Sequence, residues 1–144
     1  MAETKYGKLI VDAPITRRVF ANGLTLNANQ YFPELKYWLR WNLMTKPWIM
    51  EPQPHSHDFD QVWHIFGADS NDISDFRAEI EMSIGDEKHT ITTPKIVYIP
   101  KGLIHCPVNF KKIEKPIIWL NLAFTGGYEQ TLGSGEKRDL PKGF

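Results

Sequence analysis

Pro54-His55-Ser56-His57-Asp58-Phe59-Asp60-Gln61-Val62-Trp63 is the stretch whose reading decides the fold. His55 and His57 are two residues apart, and Gln61 follows four after the second histidine. On an extended strand alternate side chains share a face, so His55, His57, Phe59, Gln61, Trp63 and Ile65 all point one way. Two imidazoles so placed, with Cα atoms roughly 6.6 Å apart, can converge on one ion. A helix would need i,i+3 or i,i+4 spacing instead. Some forty positions later, Pro100-Lys101-Gly102-Leu103-Ile104-His105-Cys106-Pro107-Val108-Asn109 supplies a third histidine directly after a Pro-x-Gly turn.

Together the two stretches resemble the paired motifs of the cupin superfamily, G-x5-H-x-H-x3,4-E-x6-G and G-x5-P-x-G-x2-H-x3-N. The first gives His55 and His57, with Gln61 where the family usually has Glu. The second is complete from Pro100 through Gly102 and His105 to Asn109. The leading glycines are replaced by Ile49 and Pro94, and the trailing glycine falls one position early at Gly67. These glycine changes concern turns; the amide at position 61 concerns the chemistry. The resemblance spans roughly residues 40–123. It implies an all-β fold, a double-stranded β-helix or jelly-roll cupin barrel.

At 144 residues the chain has the length of one domain, residues 1–144. Seventeen basic residues balance seventeen acidic ones. That argues against nucleic-acid and anionic-membrane partners, both of which favour a basic surface. Cys106 is the only cysteine, so no intrachain disulfide can form and nothing marks an oxidising compartment. The start, Met1-Ala2-Glu3-Thr4-Lys5-Tyr6, has no apolar signal core, and no apolar run reaches membrane-spanning length. A cytoplasmic location is therefore expected.

Along the chain, Thr16 to Phe32 reads as a hairpin turning at Asn22-Gly23. Glu34 to Met44 fits either a helix or a strand, and the cupin resemblance favours strand. Arg40 and Asn42 then share one face, and Leu39, Trp41 and Leu43 the other. Asp69 to Asp75 is rich in turn formers. It lacks the glycine and terminal glutamate of a calcium loop and reads as a solvated loop. Ala78 to Ile84 alternates as a half-buried strand, Lys88 to Thr92 returns, Lys95 to Ile99 leads to the second motif, and Ile117 to Phe124 is the last strand. The polar, glycine-rich tail, residues 125–144, is expected to lie over the surface or a partner without adding to the core.

The site expected from this reading is one divalent transition metal ion on His55, His57 and His105, with the Gln61 amide oxygen as fourth ligand. Iron or manganese is preferred, and zinc, nickel, cobalt and copper also suit imidazole. Three imidazoles and an amide are neutral, so the ion keeps its full charge and favours anionic oxygen ligands. Arg40 is a candidate for pairing with a substrate carboxylate, and Arg40 and Tyr98 are the catalytic candidates. Phe59, Trp63, Trp119 and Asn121 are candidate pocket walls, the aromatics also serving as core. By strand parity Asp60, His64 and Cys106 fall outside the metal site, as does His89 beside a turn, and Cys106 reads as a small buried residue.

Resemblance to cupins implies an enzyme acting on a small carboxylate, enolate or hydroxy-keto molecule, as a dioxygenase or a redox-neutral isomerase, lyase or decarboxylase. Two other readings stay open: a module that binds metal or ligand without turnover, and a metal-free barrel acting through association. A homodimer is expected, with the N-terminal hairpin and the tail covering a barrel edge.

Overall fold

The computed structural model describes residues 4–139. The first three residues of the start inspected above for a leader and the last five residues of the tail lie outside the described residues. Among the described residues thirteen strands run in chain order. They are β1 (Ile15–Arg17), β2 (Ala21–Asn27), β3 (Trp38–Met44), β4 (Trp48–Met50), β5 (His55–Ser56), β6 (Gln61–Gly67) and β7 (Ala78–Ile84). After them come β8 (Glu87–Ile91), β9 (Lys95–Ile99), β10 (His105–Ile113), β11 (Ile117–Ala123), β12 (Glu129–Leu132) and β13 (Lys137–Asp139). Two antiparallel sheets result, in the orders β1-β2-β3-β11-β6-β9 and β13-β12-β5-β10-β7-β8, with β4 also paired to β10. This is the all-β barrel expected from the alternating pattern.

The ambiguous segment before Met44 is strand β3, buried at every second residue: Trp38, Arg40, Asn42 and Met44. The same alternation turns Gln61, Trp63 and Ile65 of β6 and Ile117, Trp119 and Asn121 of β11 inward. Core packing between the sheets combines aliphatic side chains with a small aromatic cluster. Trp119 lies 4.8 Å from Trp63 and 5.5 Å from Phe110, centroid to centroid.

Two expectations are corrected. Asn22-Gly23 is not the hairpin turn but lies inside β2, where Gly23 pairs with Thr16 on one side and Asn42 on the other. The chain reverses at Arg18 to Ala21, closed by the Arg18 N–H donating to the Ala21 carbonyl at 2.8 Å. Glycine is required at 23 for close approach: a Cβ there would stand 1.7 Å from the Trp41 carbonyl oxygen. The tail is also more than a surface covering. Its residues form β12 and β13, β12 pairs with β5, and Gln130 is fully buried.

The acidic loop after β6 is exposed, and Lys115 holds it from below at 3.2 Å from Asp69 and 2.7 Å from Asp75. That cation occupies the carboxylates a calcium ion would need. No helix among the described residues is long and apolar enough to cross a membrane.

A Gly23→Ala substitution should destabilise the barrel by about 3 kcal/mol or more, since backbone on β3 must move to admit one methyl group. Urea unfolding at a matched slope measures it, and a loss below 1 kcal/mol would show that β2 is not so tightly registered on β3.

Candidate metal centre

His55 and His105 lie directly opposite each other across the β5–β10 ladder. The second motif is fastened to the first by its turn. Gly102, at φ +84, donates its N–H to the His57 carbonyl at 2.9 Å. The neighbouring Lys101 N–H donates to Asp60 Oδ1, also at 2.9 Å. As a result the three imidazoles cluster, with centroids 4.5 Å apart for His55 and His105, 4.8 Å for His55 and His57, and 5.0 Å for His57 and His105. Each ring is buried, with at most 3 % of its residue exposed.

Each imidazole is oriented by its outer nitrogen. His55 Nδ1 bonds the Gln53 carbonyl at 3.0 Å, His57 Nδ1 the Glu129 carbonyl at 2.6 Å, and His105 Nδ1 the Leu103 carbonyl at 2.8 Å. A carbonyl only accepts, so each Nδ1 carries the proton and each Nε2 keeps a lone pair. This is the arrangement that prepares a histidine for a metal. Burial pushes the His57 and His105 rings down, to about 4 and about 3, with the His55 ring adding to the effect on both. Burial lowers His55 as well. All three are therefore neutral at pH 7.

What meets the inner nitrogens differs. Gln61, fully buried on β6, donates an amide N–H to His105 Nε2 at 2.9 Å, which leaves its Oε1 without a hydrogen-bond partner. The Tyr128 hydroxyl lies 3.2 Å from His57 Nε2, and its ring is 4.7 Å from the imidazole. Among the described residues, potential ligand atoms of His55, His105 and Cys106 all lie within 4.8 Å of one another. Engaging His57 together with the other two therefore requires the Tyr128 hydroxyl to yield its place.

Cys106 corrects the parity argument. His105 and Cys106 are both buried although adjacent, because Cys106 has φ +79 and the β10 register shifts between His105 and Val108. Such a bulge turns successive side chains the same way. The Cys106 side chain lines the same cavity as His55 and His105, which His57 does not border, and burial raises its thiol well above the ordinary value, with Glu51 adding to the shift.

That cavity, about 30 Å³, is lined by Arg40, Glu51, His55, His105, Cys106, Tyr128, Asn121 and a wall of Trp38, Trp63 and Trp119 with Met50 and Val108. It has room for one or two water molecules. Arg40 and Asn121 are cross-strand neighbours, as are Asn121 and Trp63, so adjacent strands deliver these three in one row. Arg40 is 4 % exposed and lies over the Trp38 ring. Burial, then the Arg18 charge, brings its guanidinium down to about 9. Phe59 stacks on His57 at 4.7 Å. Tyr98 is placed elsewhere: 57 % exposed on the outside of β9, it bonds Asp60 at 3.1 Å and has no access to the cavity. Strand parity explains this, because Val97 and Ile99 are the residues of β9 that face inward. His64 faces outward and His89 pairs with Glu87 in solvent.

Glu51 is the residue the motif reading missed. It is 6 % exposed, and Oε2 accepts from Gln130 at 2.7 Å and lies 3.4 Å from Arg138 and 3.6 Å from His55 Nδ1. Oε1 is buried without a partner. A carboxylate thus borders the site, in the layer behind His55. Glu51 has the parity of His55 and His57, but Pro52 and Pro54 lie between them and conceal it. Tyr128, Gln130 and the Glu129 carbonyl come from the tail, whose composition gives no such hint.

The residues fit a metal ion on chemical grounds. Three neutral imidazoles offer lone pairs, and acceptor oxygens of Gln61, Glu51 and Asn121 are buried without partners, a costly state that a cation relieves. No protein-family model matches the sequence, and no curated protein sequence matches it. Solved structures do match the fold. A single-substitution variant of Bacillus subtilis oxalate decarboxylase superposes with a TM-score of 0.56 at 12% identity, over 90% of this chain and 30% of that one. An uncharacterized Klebsiella pneumoniae protein with a double-stranded β-helix domain gives 0.52 at 12% identity, over 88% and 90%. KdgF from Halomonas sp. gives 0.50 at 11% identity, over 76% and 84%. The chain spans less than a third of the oxalate decarboxylase. At these identities the likeness concerns fold alone, the double-stranded β-helix.

Neutral buried histidines predict a pH dependence of the metal-free protein. Their folded values lie below the 6.5 of the unfolded chain, so between pH 6.5 and about 4 the unfolded state binds more protons. Stability is complete above pH 6.5 and falls as pH drops through that window, His57 alone accounting for on the order of 3 kcal/mol. Thermal unfolding of metal-free protein from pH 7.5 to 4.5 reads this directly, and an unchanged midpoint would show that the rings protonate in place.

Tyr128→Phe frees His57 Nε2, so divalent ions should bind about 10-fold more tightly by isothermal titration. Weaker binding would instead make the hydroxyl part of the metal's own surroundings.

Proposed function

We propose that this protein is a metal-dependent cupin enzyme acting on a small oxygen-rich molecule with carboxylate, enolate or hydroxy-keto groups. Its ion would be held by His55, His57 and His105, with Gln61 turning its amide oxygen inward. The reading is carried by one observation: all three imidazoles are tied through Nδ1 to backbone carbonyls and are kept neutral with Nε2 lone pairs. A bound divalent ion would supply Lewis-acid polarisation of substrate oxygens, and electron transfer if it is redox-active.

The chain's own residues then take distinct parts. Arg40, a cation enclosed beside the cavity, would receive a substrate carboxylate through its planar fork. The Tyr128 hydroxyl, whose enclosure raises it well above the usual phenol value, stays protonated and can donate to a substrate oxygen. Glu51 offsets positive charge from behind His55. Trp38, Trp63 and Trp119 exclude water and strengthen each of these electrostatic contacts. Tyr98 has no part. The space restricts the substrate to a few heavy atoms. Oxygen-dependent dioxygenase chemistry and redox-neutral isomerase, lyase or decarboxylase chemistry both fit this set. Oxalate decarboxylase and KdgF share the fold, which is compatible with either branch.

The same small volume, about 30 Å³, favours a second reading, a module that holds an ion or small ligand without turning it over. Screening two- and three-carbon hydroxy, keto and dicarboxylic acids with and without oxygen separates the two. Product formation supports the enzyme, and saturable binding without product supports the module.

Protein prepared without added ions should bind one Mn²⁺, Fe²⁺ or Zn²⁺ per chain by titration calorimetry. His105→Ala should abolish that binding, and Gln61→Ala should weaken it about 10-fold. Undiminished affinity in His105→Ala would overturn the assignment.

A further inference from the structure

Cys106 carries the chain's only thiol, and it is buried at the cavity that His55 and His105 border. On a regular strand it would face away from His105. Val108 and Phe110 have the parity of Cys106 and are buried in the core, whereas His105 has the opposite parity. The register shift after His105 therefore turns two successive side chains inward. It does so with Cys106 at φ +79, a conformation glycine adopts freely and a residue with a side chain adopts against strain. A buried cysteine ordinarily serves as a small apolar filler. Strained backbone that aims a thiol at two imidazoles is instead the kind of feature that collects at functional sites.

Distances support that direction. Potential ligand atoms of His55, His105 and Cys106 lie within 4.8 Å of one another. Tetrahedral ligation at about 2.1 Å for nitrogen and about 2.3 Å for sulfur sets the two about 3.6 Å apart, so side-chain shifts of roughly 1 Å bring the three onto one ion. His57 is less ready, since its Nε2 lies 3.2 Å from the Tyr128 hydroxyl and its ring does not border the cavity.

A second observation points to a cation in the same space. Glu51 Oε1 and Asn121 Oδ1 are buried without hydrogen-bond partners. Both residues line this cavity and are more than nine-tenths buried. Unpaired acceptors beside a thiol and two imidazole lone pairs form a set of donors to a metal. Arg40, delivered to the cavity from the first sheet, offsets the negative charge that Glu51 and a thiolate would bring together.

We infer that the Cys106 sulfur is a ligand of the ion, joining His55 and His105. This rests on the metal reading of the histidines and adds to it a donor of another kind. On ligation the thiol gives its proton to solvent, and the thiolate offsets one of the ion's two charges. Selectivity changes accordingly, because a soft sulfur donor favours zinc or cobalt over manganese. An ion left with one net charge also grips anionic oxygen less firmly than one held only by imidazoles and an amide.

The full chain, freed of metal and kept reduced, is titrated with Co²⁺ and with Zn²⁺. Cobalt should raise a thiolate-to-metal charge-transfer band in the near ultraviolet that saturates at one ion per chain. X-ray absorption of the zinc form should show one sulfur neighbour at about 2.3 Å. Cys106→Ser should remove both signals and weaken Zn²⁺ binding about 10-fold or more, while Mn²⁺ affinity changes by less than about 3-fold. Cys106→Gly, unstrained at this φ, serves in its place should the serine variant not fold. Were Cys106 only packing, the variant would lose thermal stability and keep the wild-type ratio of Zn²⁺ to Mn²⁺ affinity, which would overturn the inference. A bound ion with nitrogen and oxygen neighbours alone would overturn it too, and leave the histidine site standing. If the unaltered chain binds neither Co²⁺ nor Zn²⁺, the metal reading itself fails and this inference with it.

Discussion

Three hydrogen bonds from imidazole Nδ1 to main-chain carbonyls organise the interior of this barrel. The carbonyls belong to Gln53, Leu103 and Glu129, on segments preceding β5, preceding β10 and opening β12. Each bond fixes a tautomer and a ring orientation, so the direction of every inner lone pair is set by backbone, which is harder to displace than a side chain. Burial does the rest by keeping the rings uncharged. The tail is part of this device: without the Glu129 carbonyl and the Tyr128 hydroxyl, His57 would lose the partners of both its nitrogens.

Around that cluster the charges are layered. Glu51 sits behind His55 and is itself held by Gln130 and Arg138 from the tail hairpin. Arg40 enters from the opposite sheet. Removing one member of such a layered set leaves another buried and uncompensated, so these residues act as a group. The first sheet supports the arrangement at a cost. Its inner face is committed to the site and the core, so the buried polar groups of β3, β6 and β11 replace apolar packing there.

Much of this was legible in the sequence because strand periodicity is strict. The spacing of His55, His57 and Gln61 and the inward direction of Arg40, Trp63, Trp119 and Asn121 follow from a period of two. Where the structure departs, the period is broken. Cys106 turns inward because a bulge follows His105, and Glu51 lies beyond a proline pair that conceals its parity with the histidines. Asn22-Gly23 carries the composition of a turn, yet glycine serves there to let β3 approach. Tyr128 and Gln130 could not be read at all, since one short strand in a polar tail contributes to the core only through its pairing with β5.

The most direct measurement is a long-range ¹H–¹⁵N correlation spectrum of the metal-free protein at neutral pH, which reports the protonation of each imidazole nitrogen. The account predicts that His55, His57 and His105 all appear as neutral rings protonated at Nδ1, with Nε2 shifts of unprotonated nitrogen. A ring protonated at Nε2, or a charged one among the three, would contradict it.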